Sequence, residues 1–496
     1  MMILKNKLSI FVLFTSLILL SSCKKDFLEV IPKGKQIAET TEDYNLLMNS
    51  PALYQYLQGG GWQGPVLMGD EIGAEQNYFN SSQPLVQRFF KWDAILYGQV
   101  TDIASDLRIF LQNVYACNLV INEVLQAKGG TAQQNLALQA DAMATRAWIY
   151  FQMVNFYTKP YAAATAGSDL GFPVITKADV VETFYSRGTV QENYDFIIND
   201  LKTAIPNLPL NAAGKTRMSK AAAEGILAKV YLFMGKPDLA LPLLNAAFID
   251  NASASTPAML YDYNITFAPG GSFLPVSAQT GPASPGNNYT DFTESVLSKT
   301  FSNPYANGNN GIVITPETAQ LYGATDFRLN FYTNKYFDGS MIPGGRLRKY
   351  GVSYSRFGVT LSELYLLRAE CKARLNDLSG AKDDLEFLRK KRIRVKDELG
   401  NDVPDALVPA AAMADGPTLL RFVMEERIRE FAAEGYRWFD MRRLSVDLQF
   451  AGAVFTHKIY PASGQAQIIT LKQPERLVLQ LPPNIMAANP SFNNNP

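Results

Sequence analysis

The densest chemistry in this 496-residue chain lies between Glu425 and Arg443. Glu426, Glu430, Glu434 and Asp440 alternate there with Arg427, Arg429, Arg437, Arg442 and Arg443. Clustered carboxylates can run the acid–base chemistry that cleaves glycosidic bonds. Helical spacing, however, hands each of them an arginine: Glu426–Arg429, Arg427–Glu430, Glu434–Arg437 and Arg437–Asp440 all fall at i,i+3. The expectation is a structural ionic network rather than a catalytic pair. Gly435, a poor helix-interior residue, marks a break or a close approach within it. His457 is the single histidine. That excludes most His-based zinc sites and argues against Ser-His-Asp or Cys-His machinery. His457 lies in Val454–Tyr460, which alternates like a strand, and is expected at the surface. The chain contains neither a G-x-x-x-x-G-K-[ST] phosphate loop nor an H-E-x-x-H helix. No catalytic residue, metal ligand or cofactor site is assigned.

A different reactive group is Cys23. Lys5 and Lys7 precede an apolar run from Leu8 to Leu20, which is shorter than the ~20 residues a spanning helix needs. It closes in Leu20-Ser21-Ser22-Cys23, which resembles a bacterial lipobox, where the cysteine thiol is acylated after cleavage just before it. Residues 1–22 therefore read as a leader, Cys23 as the lipid-attachment site and 23–40 as a lipidated tether. Cys117 and Cys371 sit in apolar helical stretches and are expected as buried free thiols. Lys and Arg number 46, as do Asp and Glu. Removing Lys5 and Lys7 leaves 44 basic against 46 acidic side chains, a net of −2. No basic excess is present to draw nucleic acid or anionic lipid.

The remaining chemistry is aromatic and amidic. The C–H-rich face of a pyranose packs on a Trp or Tyr ring, and Asn, Gln or Arg bonds its hydroxyls. One loop-rich region, about 57–100, holds Trp62, Asn77, Tyr78 and Trp92. A second, about 251–350, holds Tyr261, Tyr263, Phe273, Asn287, Asn288, Tyr289 and Phe292. Trp62, Asn77, Tyr78, Asn288 and Tyr289 are the candidate ligand contacts. Trp62 leads because Gly59-Gly60-Gly61 precedes it. Trp92, Trp148 and Trp438 are expected in core or scaffold settings.

Elements with a helical period must position these loops. A short helix should follow Thr41 as far as Met48, and longer ones should cover Ile109–Leu125 and Asn135–Tyr157. Two segments repeat each other: Ala228, Tyr231, Gly235, Ala240, Leu244 and Ala247, then Ala369, Lys372, Ala381, Leu385 and Leu388. Ala228 to Ala240 and Ala369 to Ala381 are both twelve residues. The pattern resembles the tetratricopeptide helix-turn-helix. A looser copy joins Ala147 and Tyr150 to Tyr194, Ile198 and Leu201. The fold expected is mainly α: a tetratricopeptide-like scaffold with long irregular loops and a few short strands.

Taken together, these features resemble the SusD/RagB family of outer-membrane nutrient-binding lipoproteins. The resemblance rests on Cys23-Lys24-Lys25-Asp26-Phe27-Leu28-Glu29, Arg146–Phe151, Asp326-Phe327-Arg328 and Glu363–Glu370. It rests further on Glu426-Arg427 through Arg442-Arg443, and on Leu481-Pro482-Pro483 with Asn489-Pro490. The family's usual Leu-Pro-Ile-Pro close is here Leu479-Gln480-Leu481-Pro482-Pro483. The resemblance implies one SusD-like domain over 41–496, no enzymatic activity, and the cell outer membrane as location. It further implies an oligosaccharide ligand and a SusC-like TonB-dependent transporter as partner. Alternatives are an oligopeptide-binding lid of such a transporter and a protein-binding tetratricopeptide scaffold.

Overall fold

The computed structural model describes residues 38–56, 63–102, 104–179, 185–302, 311–350 and 354–496, without the side chains of Gln63, Ser105 and Asp106. Helix α1 (Thr41–Met48) begins one residue earlier in its capping than the sequence pattern indicates. Thr40 is the cap: its hydroxyl accepts from the Asp43 N–H and the Asp43 carboxylate accepts from the Thr40 N–H. The chain then forms β1 (Gln55–Tyr56), β2 (Ile72–Glu75), α2 (Gln76–Ser81) and α3 (Pro84–Lys91). The stretch read as loop-rich thus carries a buried strand and three short helices, the first of them Gln63–Val66. Their brevity left no period to detect.

The scaffold follows as α4 (Ser105–Glu123), α5 (Ala132–Tyr157), α6 (Val190–Ala204), α7 (Lys220–Phe233) and α8 (Pro237–Ser253). Helix α5 is buried nearly all round from Ala144 to Tyr157, as suits a helix enclosed by neighbours. After the irregular stretch containing β3 (Ser295–Leu297), β4 (Thr300–Ser302), β5 (Ile312–Ile314), β6 (Tyr354–Arg356) and β7 (Val359–Thr360), α9 (Leu361–Arg374) and α10 (Leu378–Arg392) return to the scaffold. Ala228, Ala240, Ala369 and Ala381 are all buried at helix contacts. Gly225 marks the closest approach, since a Cβ there would lie 2.9 Å from Leu364 Cδ2 on α9. The two repeats also turn alike. Gly235 and Asn376 each stand seven residues after the paired alanines and both adopt positive φ, a conformation that Gly and Asn tolerate best.

Beyond the repeats come α11 (Gly416–Phe431), α12 (Tyr436–Leu444), β8 (Thr456–Tyr460) and β9 (Gln467–Thr470). Gly435 breaks the charged segment at φ 88°. Two sheets draw the loop regions together, and the second joins them to this end. In one, β1 runs parallel to β4, which pairs antiparallel with β6. The other has the order β9-β8-β2-β5.

That second sheet corrects the surface placement of His457. Strand β8 is internal, and His457 is fully buried. Its ring stacks between Trp92, 3.8 Å between centroids, and Phe90, 4.3 Å. The two ring nitrogens lie 2.6 Å from the carbonyl oxygens of Phe90 and Gly69. Burial pushes the imidazole down to about 4, against the pull of those two carbonyls. Alternation placed His457 on one sheet face, and only the tertiary packing of α3 covers that face. Trp92 is core, donating from Nε1 to the Met68 carbonyl. Trp148 and Trp438 are buried in the scaffold, and Cys117 and Cys371 are buried and free.

Candidate ligand-binding site

The Arg/Glu cluster is a network, and its partners are mostly not the predicted i,i+3 ones. Glu426 is fully buried and meets Arg328 at 2.7 Å, Arg389 at 2.6 Å and Arg429 at 3.0 Å. Burial alone would raise its carboxyl, but those three guanidinium groups hold it well below the usual carboxylate range. Glu430 pairs with Arg328 and Arg392, not with Arg427. Arg427 reaches Asp440, which also holds Arg443, and Arg443 continues to Glu370. Glu434 takes Lys349, and Arg437 takes Asp70. Of the four predicted pairs only Glu426–Arg429 forms an ion pair. The break at Gly435 turns α12 away from α11, so spacing along one helix stops predicting contacts. Each of these carboxylates is claimed by a cation, an arrangement that suits a scaffold. Among the described residues no group of three or more His, Cys, Asp or Glu side chains is placed to hold a metal.

One side of this network opens into a cavity of about 130 Å³. Its lining includes Glu430 and Phe431 from the end of α11, Glu434 just beyond that helix, and Arg328. The walls are Tyr263, Phe331, Tyr332 and Lys349, and the 284–294 loop with Tyr354 and Arg356 of β6 covers it. The aromatic side of the loop region is self-packed. Tyr263 lies against Phe267, Phe273 and Phe331, with the Arg392 guanidinium 4.4 Å from its ring centroid. Tyr261 donates its hydroxyl to Asp291, 2.8 Å. These rings build the loop rather than offer a flat platform.

The predicted contacts separate. Asn288 and Tyr289 stand beside the cavity. The Asn288 carbonyl accepts from Arg356 at 2.6 Å, and Tyr289 is 44% exposed, edge-on to Tyr354 at 5.6 Å. Asn77 and Tyr78 lie on α2, next to the four-stranded sheet, and do not line the cavity. Asn77 is exposed, while Tyr78 is half-buried and packs so tightly on Gly311 that no Cβ fits there. Trp62 and Cys23 lie outside the described residues.

Sequence reading missed Arg356, Tyr354 and Lys349. A signal was available: the basic-aromatic run Arg346, Arg348, Lys349, Tyr350, Tyr354, Arg356 is dense for a loop. The Arg356 Nη atoms donate to the Pro285 and Asn288 carbonyls at 2.9 and 2.6 Å. Its Nε is buried and has no hydrogen-bond partner. Burial lowers this guanidinium, while Asp291, Glu434 and Glu294 pull it back.

A hairpin scaffold carrying long loops over a polar cavity defines a helical-repeat binding protein. Comparison with known proteins gives the lineage. Residues 75–232 match the family described as starch-binding, associating with outer membrane, and residues 330–484 match the SusD family. The chain belongs to the SusD/RagB family. A SusD-like protein from Formosa agariphila is 22% identical, the alignment covering 91% of this chain and 93% of that one. A SusD superfamily protein from Bacteroides vulgatus superposes with a TM-score of 0.68 at 20% identity, over 92% of this chain and 99% of that one. A laminarin-binding SusD-like protein superposes with a TM-score of 0.59 at 16% identity, over 93% of this chain and 100% of that one. These likenesses fix the fold, and the family is one associated with the outer membrane.

Proposed function

We propose that this chain is a lipid-anchored outer-membrane protein that captures oligosaccharides and passes them to a SusC-like TonB-dependent transporter. Membership of a family described as starch-binding supports the ligand class. The observation that carries the reading is the cavity beneath the 284–294 loop, where aromatic rings and an unmet buried donor at Arg356 lie together. Tyr289 and Asn288 stand at its edge, where a glycan approaching from solvent meets them first. Cys23 supplies the anchor, and the helical hairpins hold the loops rigid. The lining carboxylates are tied to cations or to hydrogen-bond donors, which leaves them to binding rather than to hydrolysis.

The test is a binding screen of the full mature chain, made soluble by Cys23→Ser. Soluble starch, laminarin, xylan and a peptide mixture are offered side by side. Binding to one polysaccharide class, at least a few-fold weaker in Tyr289→Ala, supports glycan capture. Binding to peptides alone overturns it in favour of an oligopeptide-binding lid. Copurification of the lipidated chain from membranes with a large β-barrel protein tests the transporter, and recovery of the chain alone argues against it.

A further inference from the structure

Resting on the glycan-capture reading, we infer a second carbohydrate site, in the groove beside the Asp326-Phe327-Arg328 turn, that takes a sugar ring bearing an oxyanion. Arg394 is its anion-recognising residue. The oxyanion is a uronate carboxylate or a sulfate ester, since a guanidinium fork receives either. The groove is a cavity of about 310 Å³ lined by Phe267, Leu274, Phe327, Asn330 and Arg394, with the 324–326 turn between them. None of these residues lines the cavity beneath the 284–294 loop.

Arg394 differs from the arginines around it. Arg328, Arg389, Arg392 and Arg429 are all held by carboxylates. The Arg394 side chain is part-exposed, and among the described residues its guanidinium has neither an ion-pair partner nor a hydrogen bond. It lies 5.6 Å from the centroid of the Phe327 ring. Both prongs of its fork are open to a ligand. The acids nearby are engaged elsewhere. Asp326 accepts from Arg328 through both carboxylate oxygens, Asp262 holds Lys391, and Asp405 accepts the Thr325 hydroxyl. Asp326 is the other charged residue of the lining and Arg328 neutralises it, so Arg394 sets the sign of the groove.

The backbone fixes where this cation stands. The Arg394 N–H donates to the Thr325 carbonyl at 3.0 Å. Asn264 brackets it, donating to the Ile393 carbonyl at 3.2 Å and accepting the Val395 N–H at 3.1 Å. A donor already held in place has less freedom to lose on binding. Phe267 and Phe327 stack at 6.0 Å with 17° between their planes. With Leu274 they form an apolar wall on which a sugar's C–H face packs. Among the described residues the Asn330 amide also has no hydrogen-bond partner, and it offers a donor and an acceptor to ring hydroxyls. A bare anion would leave the apolar wall unused, and a neutral sugar would leave the fork unused. Past Thr325 and Asp326 lies a second cavity of about 490 Å³, whose Arg389 and Arg429 are taken by Glu426. The anion is therefore read at Arg394 rather than along the whole groove.

Calorimetry on the full mature chain, carrying Cys23→Ser, tests this with two matched pairs of probes. One pair is oligogalacturonate and its methyl ester, and the other is a sulfated malto-oligosaccharide and its neutral parent. Arg394→Gln removes charge and fork, and Arg394→Lys keeps the charge alone. Lys396→Gln removes a neighbouring exposed charge that lies outside the lining and pairs with Asp402. The expected result is that one anionic probe binds about tenfold or more tightly than its neutral partner, the worth of a charge-assisted hydrogen bond. Arg394→Gln should abolish that preference, Arg394→Lys should reduce it, and Lys396→Gln should leave it unchanged. The pair that shows the preference identifies the oxyanion. An anionic preference that survives Arg394→Gln overturns the inference, and so does one lost equally in Lys396→Gln, which marks general surface charge. Neutral-glycan binding with no anionic preference removes this site and leaves glycan capture standing. Failure to bind any carbohydrate removes both.

Discussion

Glu426 and Arg356 belong to neighbouring parts of the molecule, and both are largely out of water. Glu426 sits in the ionic core between α10, α11 and the Asp326-Phe327-Arg328 turn, and three guanidinium groups surround it. Arg356 sits one layer outward, under the loop, with two neutral carbonyls and one bare nitrogen. A charge that finds several opposite charges inside the chain has nothing left to offer a ligand. A charge that is buried and only part-satisfied has paid its desolvation for contacts not yet made. The first kind of site suits a scaffold and the second suits the binding role proposed above, although both are written in the same residue types.

The largest expected effect breaks the saturated side. Glu426→Ala leaves Arg328, Arg389 and Arg429 without their shared partner in the core. The loss should be about 3–5 kcal/mol, the range for stranding buried charges, read as a lower urea midpoint at unchanged slope. A variant within 1 kcal/mol of the parent would show that the network is replaceable.

Next comes a buried carboxylate that lacks such company. Glu71 accepts the Ala433 N–H at 3.2 Å through Oε1, and its Oε2 is buried without a partner. Burial, then the neighbouring Asp70, pushes it up to about 7. The unfolded chain releases this proton near 4.5 and the folded chain only near 7, so folded-state stability falls as pH rises across that window. Glu71→Gln should remove up to about 3 kcal/mol of this pH dependence, and urea titrations at pH 5 and 8 measure it. A pH slope identical to that of the parent would place Glu71 as an ordinary carboxylate.

Arg356→Met should then cost no more than about 3 kcal/mol, the low end for two hydrogen bonds from a charged group, since one of them is exposed. A loss as large as that of Glu426→Ala would make Arg356 part of the scaffold and erase the contrast. The smallest effect is expected at Tyr289. Its exposed ring makes one edge contact, so Tyr289→Ala should shift stability by no more than about 0.5 kcal/mol while weakening polysaccharide binding. A clear fall in melting temperature would assign the ring to loop packing.

The helical hairpins were legible because their information is local. Small residues at Ala228, Ala240, Ala369 and Ala381 recur at fixed offsets that any sequence reader can count, and the structure adds matching left-handed turns at Gly235 and Asn376. The ionic core was half legible. Its residue types and the break at Gly435 follow from composition and spacing. Its partners do not, because Arg328, Arg392 and Glu370 come from elements 38 to 102 residues away from the acids or bases they meet. The candidate site was legible only at its rim, where Asn288 and Tyr289 announced themselves as loop aromatics and amides.

What the sequence determined by itself is the family, the repeat scaffold and the absence of the motifs that common enzymes need. These depend on residue type and short spacing. Tertiary structure alone decided that His457 is sealed between Trp92 and Phe90, that Tyr78 packs on Gly311 away from the cavity, and that Arg356 joins the cavity lining with its Nε buried and unpartnered. Burial is set by what packs over a residue from distant parts of the chain. A hydrogen bond left unmade becomes visible only after every other partner has been placed.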